Sequence, residues 1–338
     1  MNVKIIIGVL LLIFIGCLTR LIYFPSIQQK TIEESSSLPV VAITQIVEHG
    51  SLDEERNAII SVLTKAGFIE GKNIKIIYQN AQGNIGTATQ IVNQLLTYKP
   101  KIMIAISTPS AQAALSPCLS QKIPLVFTAV TDPLNSKLVK DLSIRTELVT
   151  GVSDAIPLEK QIKFIKDFFP KAKNIGIIYN PGEANSLRMV ETLKEILKFE
   201  GSHALNLIES PASKTSEINS ALNRLVDKID VLYIPNDNTA VAAIENICLV
   251  AEKNKIPVIT CDVGSVQAGA LAAVGYNRRF LGEEAGELCV EILQGKDASL
   301  LPIKSNFPVQ IFMNSETLKR LGLSFPEELL KNVQMVKE

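Results

Sequence analysis

The chain has 338 residues, enough for roughly two domains of about 150 residues, each able to bury a full core. It carries 34 Lys+Arg against 34 Asp+Glu, a formal net charge of zero, which argues against a nucleic-acid binder that depends on a basic excess. Hydrophobic residues at 47% and charged residues at 20% exclude a disordered chain. Two distant histidines, and five cysteines without C-x-x-C spacing, leave a zinc centre unsupported, and no cofactor is expected.

The first 24 residues stand apart. After Lys4, positions 5–15 form an almost unbroken apolar run, followed by Gly16-Cys17. This reads as a secretory leader with a short positive region. Gly16-Cys17 also has the form of a lipobox end, which would make Cys17 a lipidation site after cleavage. Apolar residues resume at 21–24 across Arg20, so an uncleaved membrane anchor over 3–24 and a cleaved soluble product stay open. All three readings place the remaining chain in the periplasm or at the cell surface. Residues 25–38, polar and serine-rich, read as a tether. Cys118, Cys248, Cys261 and Cys289 are read as buried free thiols rather than a disulfide.

From residue 38 onward, short β-branched runs alternate with helical stretches. Residues 40–44 read as a buried strand. Ser51-Leu52-Asp53-Glu54 fits a capping box that opens a helix to about residue 66, punctuated by Gly67 and Gly71. A strand at 73–78 precedes a helix whose Ile85, Ala88, Ile91, Val92, Leu95 and Leu96 share one face. Strands at 101–106, 125–129 and 149–153 follow, with a helix at 109–115. The second half repeats the pattern: helices at 158–169, 183–199, 216–227 and 239–254, and strands at 174–179, 204–208, 231–234, 258–261 and 270–274. Strands separated by helices mean right-handed βαβ units and parallel sheets. The expected fold class is α/β, with two doubly wound parallel-sheet lobes behind the apolar leader.

Neither half contains G-x-G-x-x-G or a P-loop, so a nucleotide-phosphate site lacks support. In doubly wound sheets ligands bind beyond the carboxyl ends of the strands. Those ends carry Gln45 to His49, Ser107-Thr108-Pro109-Ser110, Thr128 to Pro133, Asn180 to Ser186, Asn236 to Thr239, and Asp262. Thr108-Pro109, Asp132-Pro133 and Asn180-Pro181 pair a polar cap with proline, a pattern that plain helix capping explains. A helix N-terminus also offers free N–H groups and positive potential to a carboxylate. Ser107, Thr108 and Ser110 can add hydroxyls beside it, while Glu183, Asp237 and Asp262 in the other half can receive an ammonium.

A zwitterion held between two lobes needs that division of labour. The candidate ligand-binding set is Gln45, Ser107, Thr108, Ser110, Thr128, Asp132, Asn180, Glu183, Asn185, Ser186, Asn236, Asp237 and Asp262. Asp237 reads nearly as well as a helix cap. His49 is expected to be a solvated loop histidine. Phe127, Tyr179 and Phe280 are candidates for an apolar side-chain pocket or for the core. There is no triad, nucleophile elbow or paired-carboxylate motif, so an enzyme is not expected.

These segments carry a family resemblance. Gln45-Ile46-Val47-Glu48-His49, Ser107 to Gln112, Thr128 to Pro133, Gly151-Val152-Ser153-Asp154, Tyr179 to Ser186, Pro235 to Thr239 and Ala268 to Ala272 run in order through the chain after the leader. They resemble the bacterial ABC-transporter substrate-binding proteins of the tryptophan/tyrosine-binding type, which have a type I periplasmic-binding fold.

The resemblance implies lobe 1 from 39–152 and 276–304, lobe 2 from 153–275, and a hinge crossing with C-terminal helices over 305–338. It places hinges near Gly151, at 273–277 and at 305–309. It implies a monomeric extracytoplasmic receptor that captures a small zwitterion, an amino acid with aromatic ones included, for an ABC permease in the membrane. The alternative is an extracytoplasmic sensor delivering to a membrane signalling partner. Repressors of similar fold carry an N-terminal DNA-binding domain where this chain has its apolar leader, so nucleic acid is not an expected partner.

Overall fold

The computed structural model describes residues 38–142, 148–199 and 205–336. The leader, Cys17 and nearly all of the tether lie outside the described residues. The first sheet contains β1 (Val40–Gln45), β2 (Lys75–Asn80), β3 (Ile102–Ile106), β4 (Leu125–Val130) and β5 (Val149–Ser153). All five are parallel, in the order β2-β1-β3-β4-β5. β3, β4 and β5 are buried along their whole length, as strands covered on both faces must be. Helices α1 (Gly50–Lys65), α2 (Ile85–Leu96) and α3 (Thr108–Ser120) cross between them. On α2 the Asn84 side chain caps the Thr87 N–H at 2.9 Å. Ala88, Ile91, Val92, Leu95 and Leu96 are buried there, on the face that the spacing predicts.

The second sheet begins with β6 (Asn174–Tyr179), β7 (Asn206–Pro211), β8 (Val231–Ile234), β9 (Val258–Thr260) and β10 (Ala272–Gly275), parallel in the order β7-β6-β8-β9-β10. Its helices are α4 (Leu158–Phe168), α5 (Ala184–Phe199), α6 (Ile218–Asn223), α7 (Asn238–Val241), α8 (Ile244–Lys253) and α9 (Gly264–Gln267). Separate apolar clusters form around Ile165 and Leu193 and around Leu222 and Ile247.

The chain then returns to the first core through α10 (Arg278–Leu293), where Leu281, Ala285 and Leu288 join the cluster of β1 and β3. It finally goes back to the second sheet. β11 (Gln310–Asn314) runs antiparallel to β10, and β12 (Val333–Val336) lies beyond it, with α11 (Ser315–Leu321) and α12 (Glu327–Leu330) between. The connection between the sheets is thus made three times. Tyr276 donates to the Ala155 carbonyl at 2.7 Å and stacks edge-on against Phe307, so these crossings run side by side.

Four expectations differ from the structure. The helix expected at 239–254 is broken at Ala242-Ala243 into α7 and α8, a break that no Gly or Pro marks. Residues 305–338, expected as a crossing and helices, also supply β11 and β12. The capping box at Ser51 is not made: α1 starts at Gly50 after an extended His49, and no side chain caps it. Of the three cap-proline pairs, only Thr108-Pro109 lies at a helix start, with Ser107 as the cap position. Asp132 accepts from Asn135 N–H at 3.0 Å and Asn180 from Gly182 N–H at 2.8 Å, local turns that compete with helix initiation.

Two glycines set how closely α10 lies on α1. A Cβ at Gly282 would fall 2.4 Å from the Glu55 carbonyl oxygen, and one at Gly286 would fall 2.7 Å from Val62 Cβ. This approach brings the first turn of α10 within reach of the Glu55 side chain.

Candidate functional site

Arg278 is the first residue of α10 and its side chain is only 6% exposed. One terminal nitrogen, Nη1, lies 3.1 Å from Glu55 Oε1 and 2.9 Å from Asp154 Oδ2. Nε lies 3.3 Å from Asp262 Oδ1, and Nη2 donates to Asn236 Oδ1 at 3.2 Å. Glu55 belongs to α1, Asp154 follows β5, Asn236 follows β8 and Asp262 follows β9. One guanidinium therefore ties the first lobe, a crossing and the second lobe together. Asn236 adds a bond of 3.1 Å to Asp154.

Charge around Arg278 is unbalanced, one cation against three carboxylates. Burial alone would weaken the guanidinium, but Asp262, Asp154 and Glu55 hold it firmly protonated. Burial pushes the Glu55 carboxyl up to about 7, with Asp154 adding to the rise, against the pull of Arg278 and of the Thr128 hydroxyl that donates to it at 2.7 Å. Burial would also raise Asp262, yet Arg278, His49 and the Ser265 hydroxyl bring it below the ordinary carboxylate value. Ser265 donates to Asp262 Oδ2 from its backbone at 3.0 Å and from its hydroxyl at 2.6 Å.

A second ring of acids stands behind the first. Asp237 caps α7, accepting from Ala240 N–H at 2.7 Å, and its other oxygen accepts from Asn180 N–H and the Ser186 hydroxyl. Glu183 accepts from Asn238 N–H and Thr239 N–H, both at 3.1 Å, and from the Asn185 side chain at 3.2 Å. Burial, with the Glu183 charge beside it, pushes Asp237 up to about 7.

Glu55 and Asp237 both bind a proton more tightly in the folded chain than in the unfolded one. Stability should therefore fall as pH rises from about 4.5 to about 7, each group contributing up to about 1.4 kcal/mol per pH unit. Glu55→Gln should remove its share of that slope in denaturation curves taken across the window. An unchanged slope would mean that Glu55 ionises normally.

These residues enclose a cavity of about 20 Å3, lined among others by His49, Ala129, Thr131, Asp154, Asn185, Asn236, Asp237, Asp262 and Arg278. That volume admits about one water-sized group. Among the described residues, two buried acceptor oxygens of its lining have no hydrogen-bond partner, Asp154 Oδ1 and Asn185 Oδ1, and a third, Asp262 Oδ1, has only its ion pair with Arg278. His49 Nδ1 is also buried without a hydrogen-bond partner among the described residues. The set is rich in acceptors and negative in net charge.

Of the thirteen candidate residues, Asn185, Asn236, Asp237 and Asp262 line this cavity. Asn180, Glu183 and Ser186 stand behind it and brace Asp237 and α7. Thr128 acts on Glu55. Ser107, Thr108 and Ser110 are buried at the start of α3 with unpartnered hydroxyls, and they do not line the cavity. Gln45 is bound to Asp53 at 2.8 Å and accepts from Arg56 at 3.0 Å, away from the cavity. Asp132 does not line the cavity and lies 3.9 Å from Arg188 of α5.

His49 corrects an expectation: it is half-buried at the cavity rather than solvated, and burial lowers its pKa. Phe127 is core, Tyr179 donates to Glu209, and Phe280 packs on Phe307, so none lines the cavity. Arg278, Glu55 and Asp154 belong to this cluster and are missing from the candidate set. Arg278 in Asn277-Arg278-Arg279 carries no local signal, because its partners Glu55, Asp154, Asn236 and Asp262 all lie outside that segment. Cys118, Cys248, Cys261 and Cys289 are buried and free.

Gly264 of the second lobe lies against Ser51 of the first. A Cβ on Gly264 would lie 2.2 Å from the Ser51 hydroxyl. Gly264→Val should leave the unfolding temperature near wild type, since each lobe keeps its core. It should nevertheless enlarge the radius of gyration measured by X-ray scattering, and an unchanged radius would refute the contact.

The family model of ABC transporter substrate binding proteins matches residues 40–337. The chain belongs to this family. A tyrosine-binding protein of Clostridioides difficile is 41% identical over 283 residues, 84% of this chain and 81% of the relative. The structure of an ABC domain in complex with L-Trp from Streptococcus pneumonia is 28% identical, with a TM-score of 0.81, covering 89% of this chain and 100% of that one. The ligand-free, open structure of a substrate binding protein with adhesive properties from Clostridium difficile is 39% identical. It covers 89% of this chain and 99% of that one, but its TM-score is only 0.64. The chain thus superposes better on the L-Trp complex than on the open structure, against the order of sequence identity. The family makes the chain an extracytoplasmic solute-binding protein, not an enzyme, one that binds a small molecule and works with an ABC permease. Its two-lobed parallel α/β fold is that of the type I periplasmic binding proteins.

Proposed function

We propose that the chain captures an α-amino acid between its lobes and presents it to an ABC importer. The observation that carries this reading is the water-sized cavity at which, among the described residues, Asp154 Oδ1 and Asn185 Oδ1 lack a hydrogen bond and Asp262 Oδ1 is held only by its ion pair with Arg278. An ammonium group is about the size of water and has three hydrogens to donate. It would also offset the excess negative charge around Arg278. The names of the tyrosine-binding relative and of the L-Trp complex support an aromatic amino acid. The unpartnered hydroxyls of Ser107, Thr108 and Ser110 at the start of α3 are assigned to the ligand carboxylate.

Binding draws the lobes together, because only the closed form offers both halves of the site. The crossings near Ser153, Tyr276 and Phe307 are the hinges, dividing lobe 1 (39–152, 276–304) from lobe 2 (153–275). The protein is a monomer, held to the membrane by a lipid on Cys17 once the leader is cleaved. No observation favours the sensory alternative.

Asp262→Asn should weaken amino-acid binding about 10- to 100-fold, the worth of a hydrogen bond to a charged group. Ser110→Ala should weaken it several-fold. Calorimetric titration reads both, and a variant that keeps full affinity removes its residue from the assignment.

A further inference from the structure

The inner cavity is too small for more than the ligand's ammonium. With the carboxylate assigned to the start of α3, the side chain needs another space, and His49, Val241 and Asp262, which line the inner cavity, also line a second cavity of about 550 Å3. Ligand pockets usually span about 300–1,000 Å3. This one opens between Gly50 and Ser51 at the start of α1 and the α7–α9 segment. Its inner wall is aliphatic and small: Val241 and Ile244 are buried, and Ala242 and Ala268 are half-buried. Glu48 and Glu245 stand exposed at its edge, and neither Lys nor Arg lines it.

We infer that this second cavity receives the side chain of the bound amino acid, that Ala242 and Ala268 set the size it admits, and that Glu48 and Glu245 reject side chains carrying negative charge. The inference rests on the amino-acid reading above. A long uncharged side chain loses apolar surface to water against Val241, Ala242, Ile244 and Ala268. A carboxylate in the same place would lose hydration and face the charges of Glu48, Glu245 and Asp262 together. Filling the cavity from the wall should therefore exclude large side chains while leaving the ammonium contacts, and hence small ligands, untouched.

The test is calorimetric titration of the purified wild-type chain, Ala242→Phe and Ala268→Phe with tyrosine, tryptophan, alanine and glutamate, with thermal unfolding to confirm each fold. Wild type should bind tyrosine or tryptophan at least about tenfold tighter than glutamate. Each variant should lose about tenfold or more for the aromatic ligands and keep the wild-type affinity for alanine. Glu245→Lys should narrow the gap between tyrosine and glutamate. If the aromatic ligands bind the Phe variants as well as wild type, or if alanine and tyrosine weaken together, the side-chain assignment is overturned while the amino-acid reading stands. If none of these amino acids binds wild type, the reading itself fails and the assignment with it.

Discussion

Arg278→Met should destabilise the protein by about 3–5 kcal/mol, the usual penalty for removing one partner of a buried ionic cluster. Methionine keeps most of the volume, so the loss would be electrostatic rather than a packing defect. Without the guanidinium, Glu55, Asp154 and Asp262 face one another in a buried space with no cation among them. Part of the loss should return on acidification, because Glu55, already pushed up to about 7, can take a proton more readily once its cationic partner is gone. Adding Glu55→Gln to Arg278→Met should recover stability non-additively, as expected for residues in one network. Denaturant unfolding of the single and double variants measures this. A loss below about 1 kcal/mol would place the cluster in the class of weak surface pairs.

Gly282→Val should have the next largest effect, about 3 kcal/mol, at the upper end of what overpacking costs. The obstacle is backbone: the Glu55 carbonyl oxygen and Cα lie 2.4 and 2.8 Å from where a Cβ would stand. No rotamer change can relieve that contact, so α10 must move off α1. Arg278 would move with it and lose Glu55, so stability and amino-acid affinity should fall together. Gly286→Ala is the milder companion, since it meets the Val62 side chain rather than backbone. Wild-type thermal unfolding of Gly282→Val would show that the two helices are not held this closely.

Much of the architecture was legible because it is written locally. The buried strands are runs of β-branched and aliphatic residues, and α2 shows its apolar stripe as spacing alone. The break at Ala242-Ala243 was not legible, because two good helix formers stand where the chain leaves the helix. β12 was not legible either, being four half-exposed or exposed residues added at an edge.

The site divides in the same way. Asn185, Asn236, Asp237 and Asp262 were found because they sit at strand ends, where the fold concentrates ligands. Glu183 looked like a free acid and Asp237 read nearly as well as a helix cap, and the oxygens of both are largely used to hold α7 and the start of α5. Arg278 escaped because its meaning lies in Glu55, 223 positions earlier in the chain, and in Asp154, 124 positions earlier. Only the return of α10 to the first lobe brings the three together.

The central claim is that the cleft recognises the ammonium of an amino acid. Because the chain contains no tryptophan, binding of L-tryptophan can be followed on the ligand's own fluorescence. The deciding measurement compares L-tryptophan and L-tyrosine with analogues that lack only the amino group. The amino acids should bind and the des-amino analogues should bind at least about 100-fold more weakly, since buried acceptors would be left unpaired. Equal affinity for the two sets would contradict the assignment of Asp154, Asn185 and Asp262.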